Sequence, residues 1–241
     1  MSNVYPVKLS IDYPDRKLDR LTSFFRIFTI IPIGFVAFLM TRALPLFWFS
    51  HSSSNAEQNN SWVIPENALF TVTGIIILLS IILAPFVIFA AGFIANLFNP
   101  IVLMHVFRRK YPKWWFDFYV PLVKFLLRVG SYFFLMTDVY PSTDEDQNVH
   151  FDINYPDVQK ELGSSLPLIK WFLAIPHYIV VAFLMIAVGV CVIIAWFAIL
   201  FTGKYPKGIF DFITGVMRWG LRVSGYSYLL VTDIYPPFSL D

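Results

Sequence analysis

The sequence predicts a mainly α-helical integral membrane protein built from two tandem repeats. Each repeat reads strand, apolar helical hairpin, amphipathic charged-stripe helix, strand, with a small β-sheet outside the bilayer. Three observations carry this reading. The chain is 57% hydrophobic and only 14% charged, whereas soluble domains carry about 25% charged residues. No Asp, Glu, Lys or Arg occurs in residues 68–107 or 172–202, and both runs exceed the roughly 20 apolar residues that cross a bilayer. Finally, short signatures recur in the same order. Lys110-Tyr111-Pro112-Lys113 and Phe116-Asp117-Phe118 return as Lys204-Tyr205-Pro206-Lys207 and Phe210-Asp211-Phe212. Leu127-Arg128-Val129 returns as Leu221-Arg222-Val223, and Thr137-Asp138-Val139-Tyr140-Pro141 as Thr232-Asp233-Ile234-Tyr235-Pro236. Ile11-Asp12-Tyr13-Pro14-Asp15 is echoed by Ile153-Asn154-Tyr155-Pro156-Asp157, and Ile31-Pro32 by Ile175-Pro176. The boundaries that follow are repeat 1 at 1–141 with a polar insert at 50–67, a linker at 142–148, and repeat 2 at 149–241.

Taken in order, residues 7–14 alternate apolar and polar and end in proline, the pattern of a short half-buried strand. Residues 149–156 repeat it. Residues 137–141 also look strand-like and are followed by the polar stretch 142–147, so a β-hairpin is expected to join the repeats. Residues 232–236 would add a fourth strand, and such a sheet belongs outside the hydrocarbon because strand edges cannot stay unpaired in lipid. Repeat 1 then holds apolar segments at 24–49 and 68–107 around the insert. Repeat 2 compresses the same region into 166–202. At about 1.5 Å rise per residue this is just short of two full spans, which suits a shallow hairpin turning near Gly189.

Arg16, Lys17 and Arg20 precede the first apolar segment and Arg26 lies at its start, and Arg108, Arg109, Lys110 and Lys113 follow the second. Cytoplasmic flanks carry the excess of Lys and Arg, so the N-terminus and the Lys-Tyr-Pro-Lys turns are expected in the cytoplasm. The tyrosines of those turns are expected at the headgroups. No cleavable signal is apparent.

The helices after the turns carry charged stripes. Asp117, Lys124, Arg128 and Tyr132 share one helix face, and Asp211, Arg218, Arg222 and Tyr226 reproduce it. Each charge at the centre of a spanning helix costs about 2.5–3.5 kcal/mol. The helices therefore either lie in the interface or span with their stripes turned inward; the interfacial arrangement is preferred.

These signatures resemble a bacterial membrane-protein family known as domain of unknown function 4389. Its repeats carry a basic-Tyr-Pro-basic-x-x-Phe-Asp-Phe turn, an Arg-containing helix and a Thr-Asp-x-Tyr-Pro-Pro-Phe ending. Repeat 2 fits best, through residues 204–212, Arg218-Trp219, Arg222-Val223 and residues 232–238. Repeat 1 departs at Trp114-Trp115, at Lys124 and in a single proline after Tyr140. The resemblance implies a bacterial inner-membrane location and supplies no activity, substrate or cofactor.

Candidate lipid- or partner-binding residues are Lys124, Arg128, Arg218 and Arg222, with Trp114, Trp115 and Trp219 as interfacial anchors. The alternative is that Asp117 and Asp211 are their charge partners and the stripes only orient the helices. The Thr-Asp endings are expected to fix the local backbone through side-chain bonds. Four histidines, His51, His105, His150 and His177, are scattered without metal-pair spacing. His177 reads best as a hydrogen-bonded packing residue, and no catalytic, metal or cofactor site is expected. Formal charge is only +2 and Cys191 is the lone cysteine, which argues against nucleic acid and an intramolecular disulfide. The function expected is a non-enzymatic membrane scaffold or accessory subunit partnered by other membrane subunits and by lipids, anionic ones included. Alternatives are a lipid-binding or lipid/small-molecule transport protein using the stripes, and an enzyme acting on lipid-linked substrates.

Overall fold

Alternating apolar and polar residues make Val7–Ile11 and Val149–Ile153 two strands, β1 and β2, and the chain pairs them with each other. They run antiparallel, with Val7 opposite Ile153, Leu9 opposite Phe151 and Ile11 opposite Val149. Those six side chains are buried, while Lys8, Ser10, His150 and Asp152 face outward. The computed structural model describes residues 5–14, 17–42, 100–145, 147–158, 162–163 and 166–241. The insert expected at 50–67, the end of the first apolar segment (43–49) and most of the second (68–99) lie outside the described residues.

The other regular elements among the described residues are helices. Arg20–Phe24 (α1) and Arg26–Arg42 (α2) follow β1, and Pro100–Arg108 (α3) and Lys113–Phe133 (α4) precede β2. Leu166–Leu173 (α5), Ile175–Thr202 (α6) and Lys207–Ser227 (α7) complete the fold. The described architecture is thus mostly helical with one small sheet. Helix α7 packs on β1 and α4 packs on β2, while α6 lies against α7 and α2 against α4.

Two expectations fail here. Residues 137–141 and 232–236 form no strands, so the joining hairpin and the four-stranded sheet are absent. The reason is local: Thr137 Oγ1 accepts from the Val139 amide and Thr232 Oγ1 from the Ile234 amide, both at 3.1 Å. These side-chain bonds turn the backbone and break any ladder. The hairpin near Gly189 is also absent, because α6 is one continuous helix of 28 residues. Its break lies upstream at Ala174, and Pro176 sits in the first turn, where a missing amide hydrogen costs no helical bond. Gly203, at φ 72°, ends it and returns its amide to the Ile199 carbonyl, the left-handed terminator that glycine adopts most readily.

The echoed residues bond across the halves. Tyr13 donates its hydroxyl to the Tyr205 carbonyl, and Tyr155 donates to the Tyr111 carbonyl, both at 2.5 Å. Tyr205 in turn donates to the Phe134 carbonyl (3.1 Å) and Tyr111 to the Leu229 carbonyl (2.8 Å). Tyr13 meets Phe210 edge-on at 5.1 Å, as Tyr155 meets Phe116 at 5.2 Å. Tyr111 and Tyr205 are buried: their rings fill the junction between the halves, and their hydroxyls bond within the chain.

Replacing Tyr155 with Phe should destabilise the fold by about 1–3 kcal/mol, because a carbonyl near the interior loses its donor. Tyr13→Phe should cost a similar amount. Thermal unfolding of the purified protein in detergent checks both, and loss of either hydroxyl without effect would show that the cross-bonds are dispensable.

Candidate functional site

The striped helices begin alike. Pro112 and Pro206 occupy the N-cap positions of α4 and α7 in extended conformation, and neither supplies a side-chain cap. They also end alike. Leu135 and Leu230 adopt positive φ of 64° and 54°. At α4, the Met136 amide returns to the Ser131 carbonyl and the Leu135 amide to the Tyr132 carbonyl, the bonds of a Schellman termination. Leucine is an unusual choice at positive φ, yet both side chains are buried, so apolar burial offsets backbone strain.

Between these ends, the stripe arginines reach backbone carbonyls. Arg128 Nη1 donates to Ser142 (2.9 Å), and Arg222 Nη1 donates to Ser239 (3.4 Å). Arg218 Nε donates to Leu9 on β1 (3.1 Å) and its Nη1 to Leu240 (3.2 Å). Gly215 makes room for that tail: a Cβ there would lie 2.8 Å from the Leu240 carbonyl oxygen. Burial, and then the neighbouring Arg218 charge, lower the Arg222 pKa below its ordinary value. Lys124 lines a polar hollow over the sheet beside Lys8, His150 and Asp152.

The expected charge partners lie elsewhere. Asp117 pairs with Lys113 one turn away at 3.0 Å, with both side chains exposed, and Asp211 is exposed with no ion pair among the described residues. Of the three expected tryptophan anchors, Trp114 is 65% exposed, whereas Trp115 and Trp219 are buried. The correction for Trp219 has a clear cause: its indole N–H donates to His177 Nδ1 at 3.1 Å. His177 is itself buried and stacked on Phe238 at 4.0 Å, a hydrogen-bonded packing histidine.

The side chains that bind the Thr-Asp turns escape sequence reasoning. Arg26 is buried, and its Nη2 meets Asp138 Oδ1 at 2.6 Å while its Nη1 donates to the Thr137 carbonyl at 2.6 Å. Lys170 is buried, and its Nζ meets Asp233 Oδ1 at 2.5 Å and donates to the Thr232 carbonyl at 2.7 Å. Asp138 also accepts from the Asp19 amide and Asp233 from the Gly163 amide. Arg26 lies 4.0 Å from the Tyr132 ring centre, and Lys170 5.3 Å from that of Tyr226. Burial lowers the Lys170 pKa, and the hydrogen bond and charge of Asp233 oppose that shift. One signal could have found the pair: Arg26 and Lys170 each stand six residues before the proline of an echoed Ile-Pro. Among the described residues, no three His, Cys, Asp or Glu side chains gather as a metal site.

This arrangement defines a mainly helical protein whose basic stripes and buried ion pairs are turned onto its own backbone. Among the described residues, one helix, α6, is long and apolar enough to cross a membrane. The family model described as Domain of unknown function (DUF4389) matches residues 167–239, supporting the family that the motifs resemble. Comparison with curated proteins and with solved structures gave no match.

Removing one member of the buried pair should be severe. Lys170→Met should cost about 3–5 kcal/mol by stranding Asp233, and adding Asp233→Leu should restore part of the loss. Asp211→Asn, an exposed change, should stay within about 0.5 kcal/mol. Chemical unfolding in detergent separates the three; additive losses at Lys170 and Asp233 would remove the coupling.

Proposed function

We propose that the chain is a two-repeat integral membrane protein of the bacterial inner membrane, acting as a non-enzymatic scaffold or accessory subunit. The observation that carries this reading is the contrast between α6 and the stripes. In the most apolar stretch of α6 the mean hydropathy is 3.0 and only 11% is buried, so its apolar surface is available to lipid and to partner helices. The stripe arginines are meanwhile committed to backbone carbonyls within the chain. Matched bonds at Tyr13 and Tyr155, and at Arg26 and Lys170, support the repeat, and the basic flanks support a cytoplasmic N-terminus.

Native mass spectrometry after gentle extraction tests the assignment, with a stoichiometric membrane-protein partner as the expected result. A clean monomer with no co-purifying subunit would sink it. The stripes should behave as structural elements: Arg218→Gln with Arg222→Gln should lower the unfolding temperature in detergent and leave co-purified anionic lipid unchanged. Selective loss of that lipid from a fully stable variant would instead favour the lipid-binding reading.

A further inference from the structure

The long elements of this fold lie alongside one another. Down α7, Tyr13 meets Phe210, Leu9 accepts from Arg218, Tyr5 donates to the Arg222 carbonyl, and Val7 lies against Gly225. Strand β1 therefore follows α7 through most of its length. Helix α6 follows the same helix: Trp219 bonds His177, Tyr228 meets Tyr178, and Phe210 and Ile213 share a cluster with Val188, Ala195 and Ile199. The long apolar helix and the sheet thus extend in the same direction, with α7 between them in the contact chain.

The outer face of the sheet carries Lys8, Asp12, His150 and Asp152, and the Asp12–His150 contact leaves both side chains more than half exposed. Were α6 to stand across the bilayer, that charged face would stand beside it at hydrocarbon depth, where charges exposed to lipid rather than turned to an interior are strongly disfavoured even when opposite signs neighbour one another. Lying in the membrane plane removes the conflict. The exposed Phe183, Ile186, Val190, Ile193 and Phe201 of α6 then meet acyl chains, and the sheet meets water.

The basic clusters agree. Lys17, Arg20, Lys204 and Lys207 gather where the α1 region meets the end of α6, through the Leu18 amide to the Gly203 carbonyl and Arg20 to the Phe201 carbonyl. Arg108, Arg109, Lys110 and Lys113 occupy the matching place at the α3–α4 turn. Strands β1 and β2 are antiparallel, and β1 reaches the second turn through Tyr13 while β2 reaches the first through Tyr155. The two clusters consequently lie toward opposite ends of the sheet. A spanning α6 would place them at opposite membrane faces; an in-plane α6 places both at one headgroup layer.

We infer that α6 lies within a single leaflet, parallel to the membrane surface, with the β1–β2 sheet on the water side and the two basic clusters against anionic headgroups of that leaflet. This deepens the membrane assignment above and rests on it. The helix is about 42 Å long at 1.5 Å per residue, so its two ends report orientation cleanly.

The test uses the full chain in a Cys191→Ser background, with Leu173→Cys just before α6 and Lys204→Cys just after it. An impermeant maleimide is applied to inside-out and right-side-out membrane vesicles. Both positions should label from the same side, and neither from the other. Labelling from opposite sides would overturn the inference. Ile169→Cys with Phe201→Cys provides a second pair should the first not fold. In parallel, an environment-sensitive dye on Ile186→Cys should be quenched more by lipids brominated near the headgroup than by those brominated at the chain end. Quenching strongest at the chain end would also overturn the inference. A water-like emission at Ile186→Cys, with the chain released by washing, would remove the membrane assignment itself and the inference with it.

Discussion

A backbone carbonyl that cannot reach water must find a donor inside the chain, and this fold answers that requirement with side chains. Arg26, Lys170, Arg128, Arg218, Arg222, Tyr5, Tyr13, Tyr111, Tyr155 and Tyr205 all donate to main-chain oxygens. Among the described residues there is little sheet to supply such donors. Long, stiff or forked polar side chains substitute for the missing ladder. A charged donor bonded to a neutral carbonyl contributes more than a neutral pair, about 1.5–3 kcal/mol. That explains why cations persist in a chain otherwise so poor in charge.

The same requirement joins the halves. Each turn tyrosine donates to a carbonyl at the end of the opposite striped helix, and each tyrosine after a strand donates to the opposite turn. The pairing of β1 with β2 and the four tyrosine bonds thus all cross between the halves. The ion pairs differ: Arg26 with Asp138 and Lys170 with Asp233 close each half on itself. One set of echoes therefore folds the halves and the other docks them.

This division shows why some of the structure was legible and some was not. The two strands, the striped helices after the turns, and the packing role of His177 follow from alternation, helical period and the lack of metal spacing; which strand pairs with which does not. Period alone placed the stripes on one face, but it could not say whether guanidinium groups meet lipid or backbone, because that depends on where residues 239–240 return. Residues 137–141 and 232–236 look like strands by composition; the Thr137 and Thr232 hydroxyls turn the backbone locally, and Arg26 and Lys170, over 60 positions away, hold those turns in place. Length suggests a break near Gly189, but the helix breaks at Ala174, beside Pro176; the echoed Pro32 lies inside the continuous α2, so proline position alone does not mark the break.

The halves part company at one buried level. By the echoes, Ile33 corresponds to His177 and Phe125 to Trp219. Ile33 and Phe125 share an apolar cluster, whereas His177 and Trp219 share a hydrogen bond. Indole can only donate, so His177 accepts at Nδ1 and, when neutral, carries its proton on Nε2. Phe238, reached by the additional proline that the second ending possesses, stacks on the same imidazole. A polar pair in that position gains little over an apolar one in stability, since its desolvation must first be offset. What it adds is direction: only one ring orientation satisfies the indole and presents a face to Phe238. The tail is thereby held where Leu240 and Ser239 reach Arg218 and Arg222, and those bonds in turn occupy the stripe. The match to residues 167–239 spans this whole chain of dependence, from Lys170 through His177 and Trp219 to Phe238.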